Sequence, residues 1–221
     1  MSSGNGKDEN AQYEKHRERM VDRQIENRGI KNRAILKAMG NVPRHRFVPE
    51  QLRDNAYEDG PLPIGYNQTI SQPYIVALMS ELMKLKGGEK VLEVGTGSGY
   101  QAAVLGEIAK EVYTIEIVPE LCKRAENILD SLGYDNVHVR CGDGYRGWEE
   151  HAPYDAIMVT AAPDHVPPKL VEQLANGGTL VLPVGKLAQE LITVTKSDTG
   201  IVREDVIPVR FVPMTGEAQD K

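Results

Sequence analysis

The sequence predicts an α/β fold, in which helices cover both faces of a mostly parallel β-sheet. Short apolar segments alternate with helical segments from residue 90 onward, and this alternation is typical of a parallel sheet. Two extended segments joined by a short polar turn lie near the end of the chain and predict an antiparallel hairpin. A charged stretch without a helix breaker lies near the start and predicts N-terminal helices.

The N-terminal part of the chain divides into a tail and a helical extension. Residues 1–10 are rich in Ser, Gly and Asn, and we predict that they form a disordered tail. The remaining residues, 11–221, are predicted to form one domain, whose N-terminal extension spans residues 11–85. Its helices are predicted at residues 11–28, 32–39 and 73–85, with a Pro- and Gly-rich loop at 60–73.

The core of the domain, residues 90–185, is predicted to contain five strands and the helices that connect them. The strands are predicted at residues 91–94, 112–117, 137–140, 156–160 and 179–184. One helix is predicted to follow the glycines and to end near residue 109, and two others to span 119–132 and 168–174. A turn is predicted at Asn176–Gly178. The C-terminal strands, residues 190–213, are predicted to form a hairpin with its turn at 197–200.

Composition narrows the classes of function. The chain has 221 residues and a formal net charge of -6, and phosphate backbones need a positive field, so we expect no nucleic-acid partner. No segment resembles a signal peptide or a membrane span, so we expect a cytoplasmic protein without a membrane partner. We also expect a monomer. Cys122 and Cys141 match no metal-ligand spacing, so we predict free thiols in a reducing compartment and no metal site.

A glycine-rich run between the first core strand and the next helix predicts a site for a nucleotide-like ligand. Glycines at this junction let the backbone pass close to a ligand, and the run comprises Gly95, Thr96, Gly97, Ser98 and Gly99. The glycine spacing alone also fits a dinucleotide and leaves NAD open. Glu93 favours S-adenosylmethionine, because a carboxylate there would repel a pyrophosphate but attract the ammonium group of that cofactor.

Two more acidic residues follow the next two predicted strands. Glu116 is placed to accept hydrogen bonds from ribose hydroxyls, and Asp143, beside Gly144, from the adenine amino group. A solvated carboxylate and a plain turn are the respective alternatives. Thr160 follows the fourth strand, near the expected position of the transferred methyl group. The sequence there lacks the Asn/Asp-Pro-Pro-aromatic run of methyltransferases that act on nucleobases.

The chain resembles the protein-L-isoaspartate (D-aspartate) O-methyltransferase family from about Met20 to Met214. Besides the glycine loop, the segments that carry the resemblance are Val42–Val48, Leu62–Gly65, Gln68–Pro73, Gly142–Trp148, Thr160–Pro163, Leu182–Gly185 and Arg210–Pro213. The glycine loop is common to many methyltransferases, whereas the runs at Gln68 and Arg210 are more specific. The sequence departs from the family at Gly65-Tyr66-Asn67, where members often have Gly-x-Gly before the glutamine.

The resemblance implies a Rossmann-like class I methyltransferase fold that uses S-adenosylmethionine and releases S-adenosylhomocysteine. It implies transfer of the methyl group to the free carboxylate of L-isoaspartyl residues in damaged peptides and partly unfolded proteins. The family's active-site serine corresponds to Ser71, with Thr69 lining the cofactor side of the same pocket. Ile70, Ser71 and Val212 are expected to contact the substrate.

This chemistry suits the residues, because a carboxylate acceptor is already ionised near neutral pH and needs no general base. Ser71 is expected to orient the acceptor by a hydrogen bond; the alternative is a serine that only stabilises its own loop. Three rival functions remain at this point. They are methyl transfer to another acceptor, an NAD-dependent oxidoreductase and a non-catalytic module that binds S-adenosylmethionine.

Overall fold

The computed structural model describes residues 5–219, beginning with a helical N-terminal extension. Helix α1 (Asn5–Met20) continues through a π-helical turn and a short 3₁₀ turn, and this helical region ends at the left-handed Gly29, as the sequence predicted. Residues 1–4 of the predicted tail lie outside the described residues, while residues 5–10 belong to α1. Helix α2 (Arg33–Asn41) begins where the Asn32 side chain accepts from the amides of Ala34 and Ile35.

The loop predicted at residues 60–73 contains a small β-hairpin, so the prediction of an irregular loop was wrong there. Strands β1 (Leu62–Gly65) and β2 (Gln68–Ile70) pair antiparallel. Tyr66 and Asn67 at the turn both have positive φ angles, of 53° and 57°. Two successive left-handed residues match the twist of a tight hairpin, and asparagine at position 67 tolerates this conformation better than most residues. Helix α3 (Pro73–Leu82) follows, with Pro73 in its first turn.

Seven strands form the main sheet, and two helices of the core lie between its first three strands. The strands are β3 (Lys90–Val94), β4 (Glu111–Glu116), β5 (Val137–Cys141), β6 (Tyr154–Val159), β7 (Leu174–Val184), β8 (Gln189–Ser197) and β9 (Gly200–Val209). Helix α4 (Tyr100–Gly106) connects β3 to β4, α5 (Pro119–Ser131) connects β4 to β5, and α6 (Pro168–Gln173) lies between β6 and β7. The order across the sheet is β5-β4-β3-β6-β7-β8-β9, and β3 to β7 run parallel. The last two strands are antiparallel, which confirms the predicted C-terminal hairpin.

The segment predicted as a turn, Asn176–Gly178, is instead part of a bulge in β7, where residues 175–178 pair with neither β6 nor β8. The register between β6 and β7 shifts between Tyr154 and Ala156, and Gly177 has a φ of +80°. The segment is therefore an irregularity within one strand. A glycine pair marks a bulge as readily as a turn, and only the pairing with β6 distinguishes the two.

The two cysteines form a disulfide, which corrects the prediction of free thiols. Cys122 lies in the first turn of α5, and Cys141 is the last residue of β5, opposite Glu116 of β4. Because α5 follows directly after β4, the pairing of β4 with β5 brings the two Cα atoms to 5.6 Å. A separation of 19 residues gave no sign of this in the sequence.

The hydrophobic core occupies both faces of the sheet. One cluster joins α2, α3 and α4 to the sheet through fully buried residues such as Ile35, Met79 and Val91. The other lies on the opposite face and includes Leu92, Ile157 and Leu180. None of the helices within residues 5–219 is both long and apolar enough to cross a membrane.

Candidate active site

Two adjoining cavities lie at the carboxyl ends of the parallel strands. The first is lined by the glycine loop, by the ends of β3 and β4 and by residues near both ends of the chain. Its lining includes Thr69, Ile70, Ser71, Gly95, Thr96, Gly97, Ser98, Glu116, Asp143, Gly144, Thr160 and Val212. In an open parallel sheet this edge is where ligands bind. Most of the site residues predicted from the sequence therefore converge on one cavity.

The glycine loop is held against the sheet by backbone hydrogen bonds. The amides of Gly95 and Thr96 donate to the carbonyl oxygen of Ile115, at 2.8 and 3.2 Å. Gly95 has a φ of +100°, and a Cβ atom there would collide with the hydroxyl group of Thr160. Thr160 in turn donates to the Gly95 carbonyl oxygen. Only glycine fits this position without displacing Thr160.

Gly99 does not line the cavity, although the sequence placed it among the ligand-binding residues. Its φ is +87°, and a Cβ atom there would lie 3.2 Å from the Cβ of Ala125. Gly99 therefore allows close packing of the loop against α5 and shapes the site from behind. The sequence could not separate the two uses of glycine, because both require a small residue at the same junction.

Glu116 lines the cavity with a carboxylate that the backbone holds in place. Its Oε2 accepts from the Gly97 amide at 2.7 Å and its Oε1 from the Val118 amide at 2.9 Å. Each carboxylate oxygen can accept a further hydrogen bond. The arrangement therefore presents a fixed acceptor pair of the kind that a ribose diol requires.

Asp143 also lines the cavity, and it ties the third strand end to the C-terminal segment. Its Oδ1 accepts from the Tyr145 amide at 2.9 Å and its Oδ2 from the Glu217 amide at 2.8 Å. The adjacent Gly144 packs on Val94, where a Cβ atom would approach a Val94 methyl carbon to 2.6 Å. Asp143 is thus both a cavity carboxylate and an anchor, a second role that the sequence did not indicate.

Glu93, which was predicted to act on the ammonium group directly or through water, is buried behind the cavity and does not line it. Burial, opposed by a hydrogen bond from Thr114 and reinforced by nearby Glu116, raises the pKa of Glu93 to about 8. Its Oε2 accepts from the Thr114 hydroxyl, which lies 2.6 Å from the hydroxyl of Thr96. Hydrogen bonds through Thr114 and Thr96 therefore connect Glu93 to the cavity. Its Oε1 has no partner among the described residues.

The C-terminal segment after β9 forms the roof of the first cavity. Ala162 donates to the Val212 carbonyl oxygen and accepts from the Met214 amide, both at 2.8 Å. The cavity-lining residues of this segment that the sequence analysis missed are Pro213, Met214 and Thr215. The similarity of the Arg210–Pro213 run to the family was the signal in this region, but it singled out only Val212 as a site residue.

The second cavity is lined mainly by residues within 61–75 and 208–212, and it shares Thr69, Ser71, Thr160 and Val212 with the first. Its remaining lining comprises Pro61, Gln72, Ile75, Pro208, Val209, Arg210 and Phe211. The backbone of Phe211 is held by the side chain of Gln189, which accepts from its amide and donates to its carbonyl oxygen. The mixed polar and apolar lining suits a flexible peptide chain.

Ser71 lies at the junction of the two cavities, between the end of β2 and the start of α3. Within the described part of the chain its hydroxyl group makes no hydrogen bond, whereas its carbonyl oxygen accepts from Arg44 at 2.7 Å. The hydroxyl is therefore free to bind a ligand, which argues against the alternative of a serine bonded to its own loop. Across residues 5–219 no group of three or more His, Cys, Asp or Glu is placed to hold a metal ion.

Comparisons with known proteins point to one family. The sequence profile described as protein-L-isoaspartate(D-aspartate) O-methyltransferase matches residues 15–219. A protein-L-isoaspartate O-methyltransferase of Gloeobacter violaceus is 58% identical over 200 residues, covering 90% of this chain and 98% of the relative. A second one, from Shewanella sediminis, is 58% identical over 208 residues, covering 93% of this chain and 85% of the relative.

Solved structures agree with the sequence relatives. A protein-L-isoaspartate O-methyltransferase superposes with a TM-score of 0.84 at 33% identity, covering 91% of this chain and 67% of its own. A Plasmodium falciparum structure, described as a putative protein-L-isoaspartate O-methyltransferase in complex with S-adenosyl-L-homocysteine, has a TM-score of 0.78 at 27% identity. It covers 90% of this chain and 98% of its own.

Proposed function

Because this chain belongs to the protein-L-isoaspartate(D-aspartate) O-methyltransferase family, we propose that its first cavity binds S-adenosylmethionine and its second binds an isoaspartyl peptide. The reaction of the family moves a methyl group to the free carboxylate of an L-isoaspartyl residue and leaves a methyl ester and S-adenosylhomocysteine. The observation that carries the assignment to residues is the position of Ser71, with a free hydroxyl group, where the two cavities meet.

The first cavity fits S-adenosylmethionine by the chemistry of its donors and acceptors. The glycine loop brings backbone close to the ligand, Glu116 offers two fixed acceptors to the ribose and Asp143 offers one to the adenine. Glu93 holds the hydroxyl group of Thr114, which in turn contacts the hydroxyl group of the cavity-lining Thr96. The full proposed set is Thr69, Glu93, Gly95, Thr96, Gly97, Ser98, Gly99, Glu116, Asp143, Gly144 and Thr160, with Glu93 and Gly99 acting from outside the cavity wall.

S-adenosylmethionine supplies an electrophilic methyl group on a sulfonium centre. The protein must align the acceptor with that group and keep water away. Ser71 donates a hydrogen bond to the isoaspartyl carboxylate, which is ionised at neutral pH and needs no base. The roof segment Val212–Thr215, held on both sides of Ala162, closes the first cavity over the reacting atoms.

The substrate peptide binds as extended chain in the second cavity. Val212 lines this cavity beside Ser71, and Ile70 lines the adjoining first cavity. Substrates of this shape are damaged peptides and partly unfolded proteins, which present an isoaspartyl residue in flexible chain. The product ester is expected to close to a succinimide and to reopen partly as normal aspartate, which makes the enzyme a repair catalyst.

Monomeric state, absence of a nucleic-acid partner and cytoplasmic location stay predictions. The net charge of -6 supports the second of them. The location rested partly on the two cysteines being free, and the Cys122–Cys141 disulfide removes that support, since disulfides are rare in the cytosol. Size-exclusion chromatography with light scattering would test the monomer directly.

The reaction and its selectivity are tested by transfer of labelled methyl from S-adenosylmethionine to paired peptides. The two peptides differ only in an isoaspartyl or a normal aspartyl linkage. Base-labile label on the isoaspartyl peptide alone is the expected result. Label on neither peptide, with cofactor binding intact, would point to a different acceptor.

The role of Ser71 is tested by Ser71→Ala, with Ser131→Ala on the exposed end of α5 as the matched control. We expect Ser71→Ala to lower turnover by a factor that corresponds to about 2–4 kcal/mol of transition-state stabilisation, with unchanged affinity for S-adenosylhomocysteine. Ser131→Ala should leave both unchanged. Unchanged turnover in a folded Ser71→Ala variant would show that the serine does not orient the acceptor.

A further inference from the structure

Arg44 is a fully buried arginine beside the candidate acceptor site. It lies at the start of the short 3₁₀ helix Arg44–Phe47, and none of its surface is exposed. Its Nη2 donates to the carbonyl oxygen of Ser71 and its Nε to that of Ala56, both at 2.7 Å. The guanidinium carbon lies 4.7 Å from the ring centroid of Tyr100, which lines the first cavity.

The burial of this charge is costly, which calls for an explanation. No carboxylate contacts Arg44 among the described residues, and its Nη1 lacks a hydrogen-bond partner there. Burial lowers the pKa of Arg44. The group nevertheless keeps its charge, because the ordinary pKa of a guanidinium is very high. Two carbonyl dipoles and the Tyr100 and Tyr57 side chains compensate it in place of a carboxylate, so a neutral side chain would cost less unless the fork of donors has a use.

The use indicated by the geometry is the placement of Ser71. Ser71 lies in a stretch without regular backbone pairing, between β2 and α3. The guanidinium joins this stretch to the Ala56 carbonyl oxygen, at the end of the 3₁₀ helix Glu50–Asn55. A planar fork of two N–H groups restrains both carbonyl groups at once, which a lysine ammonium on a flexible stem cannot do.

We propose that Arg44 is a positioning residue for methyl transfer, which holds the Ser71 backbone so that the serine hydroxyl points to the acceptor carboxylate. This inference rests on the orienting role proposed for Ser71. It gives the part of the N-terminal extension around Arg44 and Ala56 a function, since neither residue lines either of the two cavities. Arg44 acts through Ser71, so its loss has no effect once the Ser71 hydroxyl is gone.

A double-mutant cycle tests this dependence. Turnover of an isoaspartyl peptide is measured for Arg44→Lys, Ser71→Ala and the double variant, with active sites counted by titration with S-adenosylhomocysteine. Counting sites removes any unfolded fraction from the comparison. Arg44→Gln repeats the cycle with an uncharged side chain, whose amide group replaces the guanidinium fork. We expect Arg44→Lys to lower turnover about tenfold or more, with affinity for S-adenosylhomocysteine within about twofold of wild type. We expect the double variant to be no slower than Ser71→Ala within about twofold.

Arg124→Lys is the matched control, because Arg124 Nη2 also donates to a backbone carbonyl oxygen at 2.7 Å, that of Ile64. Any effect it has should multiply with that of Ser71→Ala. If the effects of Arg44→Lys and Ser71→Ala also multiply, Arg44 does not act through the serine and the inference is overturned while the role of Ser71 stands. If Ser71→Ala alone is as active as wild type, both proposals fail together.

Discussion

The two cavities of the site are built in different ways. The first takes its polar groups from the ends of neighbouring parallel strands, where Glu116 and Asp143 are each held by two backbone amides. The second takes its lining from segments outside the parallel strands, around Ser71 and after β9. There the restraint comes from side chains, with Arg44 on the Ser71 backbone and Gln189 on the Phe211 backbone.

The difference suggests where each half of the site tolerates change. A carboxylate held by backbone amides depends on the geometry of that backbone, so small backbone changes should damage the first cavity most. A loop held by one distant side chain depends on that side chain, so the second cavity should be sensitive to substitutions far away in sequence. The following predictions test this contrast, beginning with the largest expected effect.

Gly95→Ala should damage the first cavity severely. The new Cβ would collide with Thr160, and the φ of +100° is unfavourable for alanine. We expect the affinity for S-adenosylhomocysteine to fall about 100-fold or more by titration calorimetry, from strain and overpacking of about 2–5 kcal/mol together. Gly133→Ala is the control, since Gly133 has a φ of +78° in open space and its substitution should leave affinity unchanged. Equal affinities for both variants would contradict the steric explanation.

Loss of the disulfide should lower stability and spare the ligand site. The Gly142 amide donates to the Glu116 carbonyl oxygen at 2.8 Å, which holds the segment next to Cys141 without help from the disulfide. We expect the Cys122→Ser, Cys141→Ser variant to lose about 3 kcal/mol of unfolding free energy in urea, as for closure of a loop of this size. Its affinity for S-adenosylhomocysteine should change little. Free thiols in protein purified without reductant, counted by mass spectrometry, would show that the bond does not form.

Glu93 should make stability depend on pH. The folded state, with a Glu93 pKa of about 8, keeps a proton that the unfolded chain has lost above its ordinary value near 4.5. Stability from this group therefore falls as pH rises from about 4.5 to about 8. Relative to wild type, Glu93→Gln should gain on the order of 2 kcal/mol of unfolding free energy between pH 6 and pH 8. As a control, the plot of unfolding free energy against pH for the exposed Glu126→Gln should run parallel to that of wild type. A parallel plot for Glu93→Gln would mean that Glu93 is ionised throughout this pH range.

Asp143→Asn should have the smallest effect. It keeps the shape of the side chain but replaces one of two acceptors that hold backbone amides. We expect affinity for S-adenosylhomocysteine to fall several-fold, about 1 kcal/mol, with faster hydrogen exchange at the Glu217 amide. Asp155→Asn is the control, because Asp155 accepts from the Lys90 amide at the amino ends of the strands. If both variants bind equally well, Asp143 serves only as an anchor.

The first cavity could be predicted largely from the sequence, because its parts are local. Gly95, Glu116 and Asp143 each lie at or just after the end of a strand, and the carboxyl ends of parallel strands meet at one edge. The exception is Glu93, whose side chain points away from the cavity and contacts Thr114 instead. Which face of a strand end a side chain occupies depends on the strand's pairing, which a short buried segment does not reveal.

The second cavity was identified only through the resemblance to a family. Nothing in the composition or spacing near Ser71 relates it to Val212, which lies at the other end of the chain. The backbone bonds that place Val212 join it and Met214 to Ala162, a residue distant in sequence. A turn at Asn176–Gly178 was predicted wrongly for the same reason, since its neighbour in β6 decides its conformation.

By itself the sequence determined the α/β architecture, the glycine loop and the chemical kind of ligand, because periodicity, glycine and strand-end carboxylates act over a few residues. Only the tertiary structure decided that Cys122 meets Cys141, that Arg44 lies behind Ser71 and that the C-terminal segment covers the first cavity. Those contacts join residues distant in sequence, and their positions follow from the strand order of the sheet and the packing of the N-terminal helices against it.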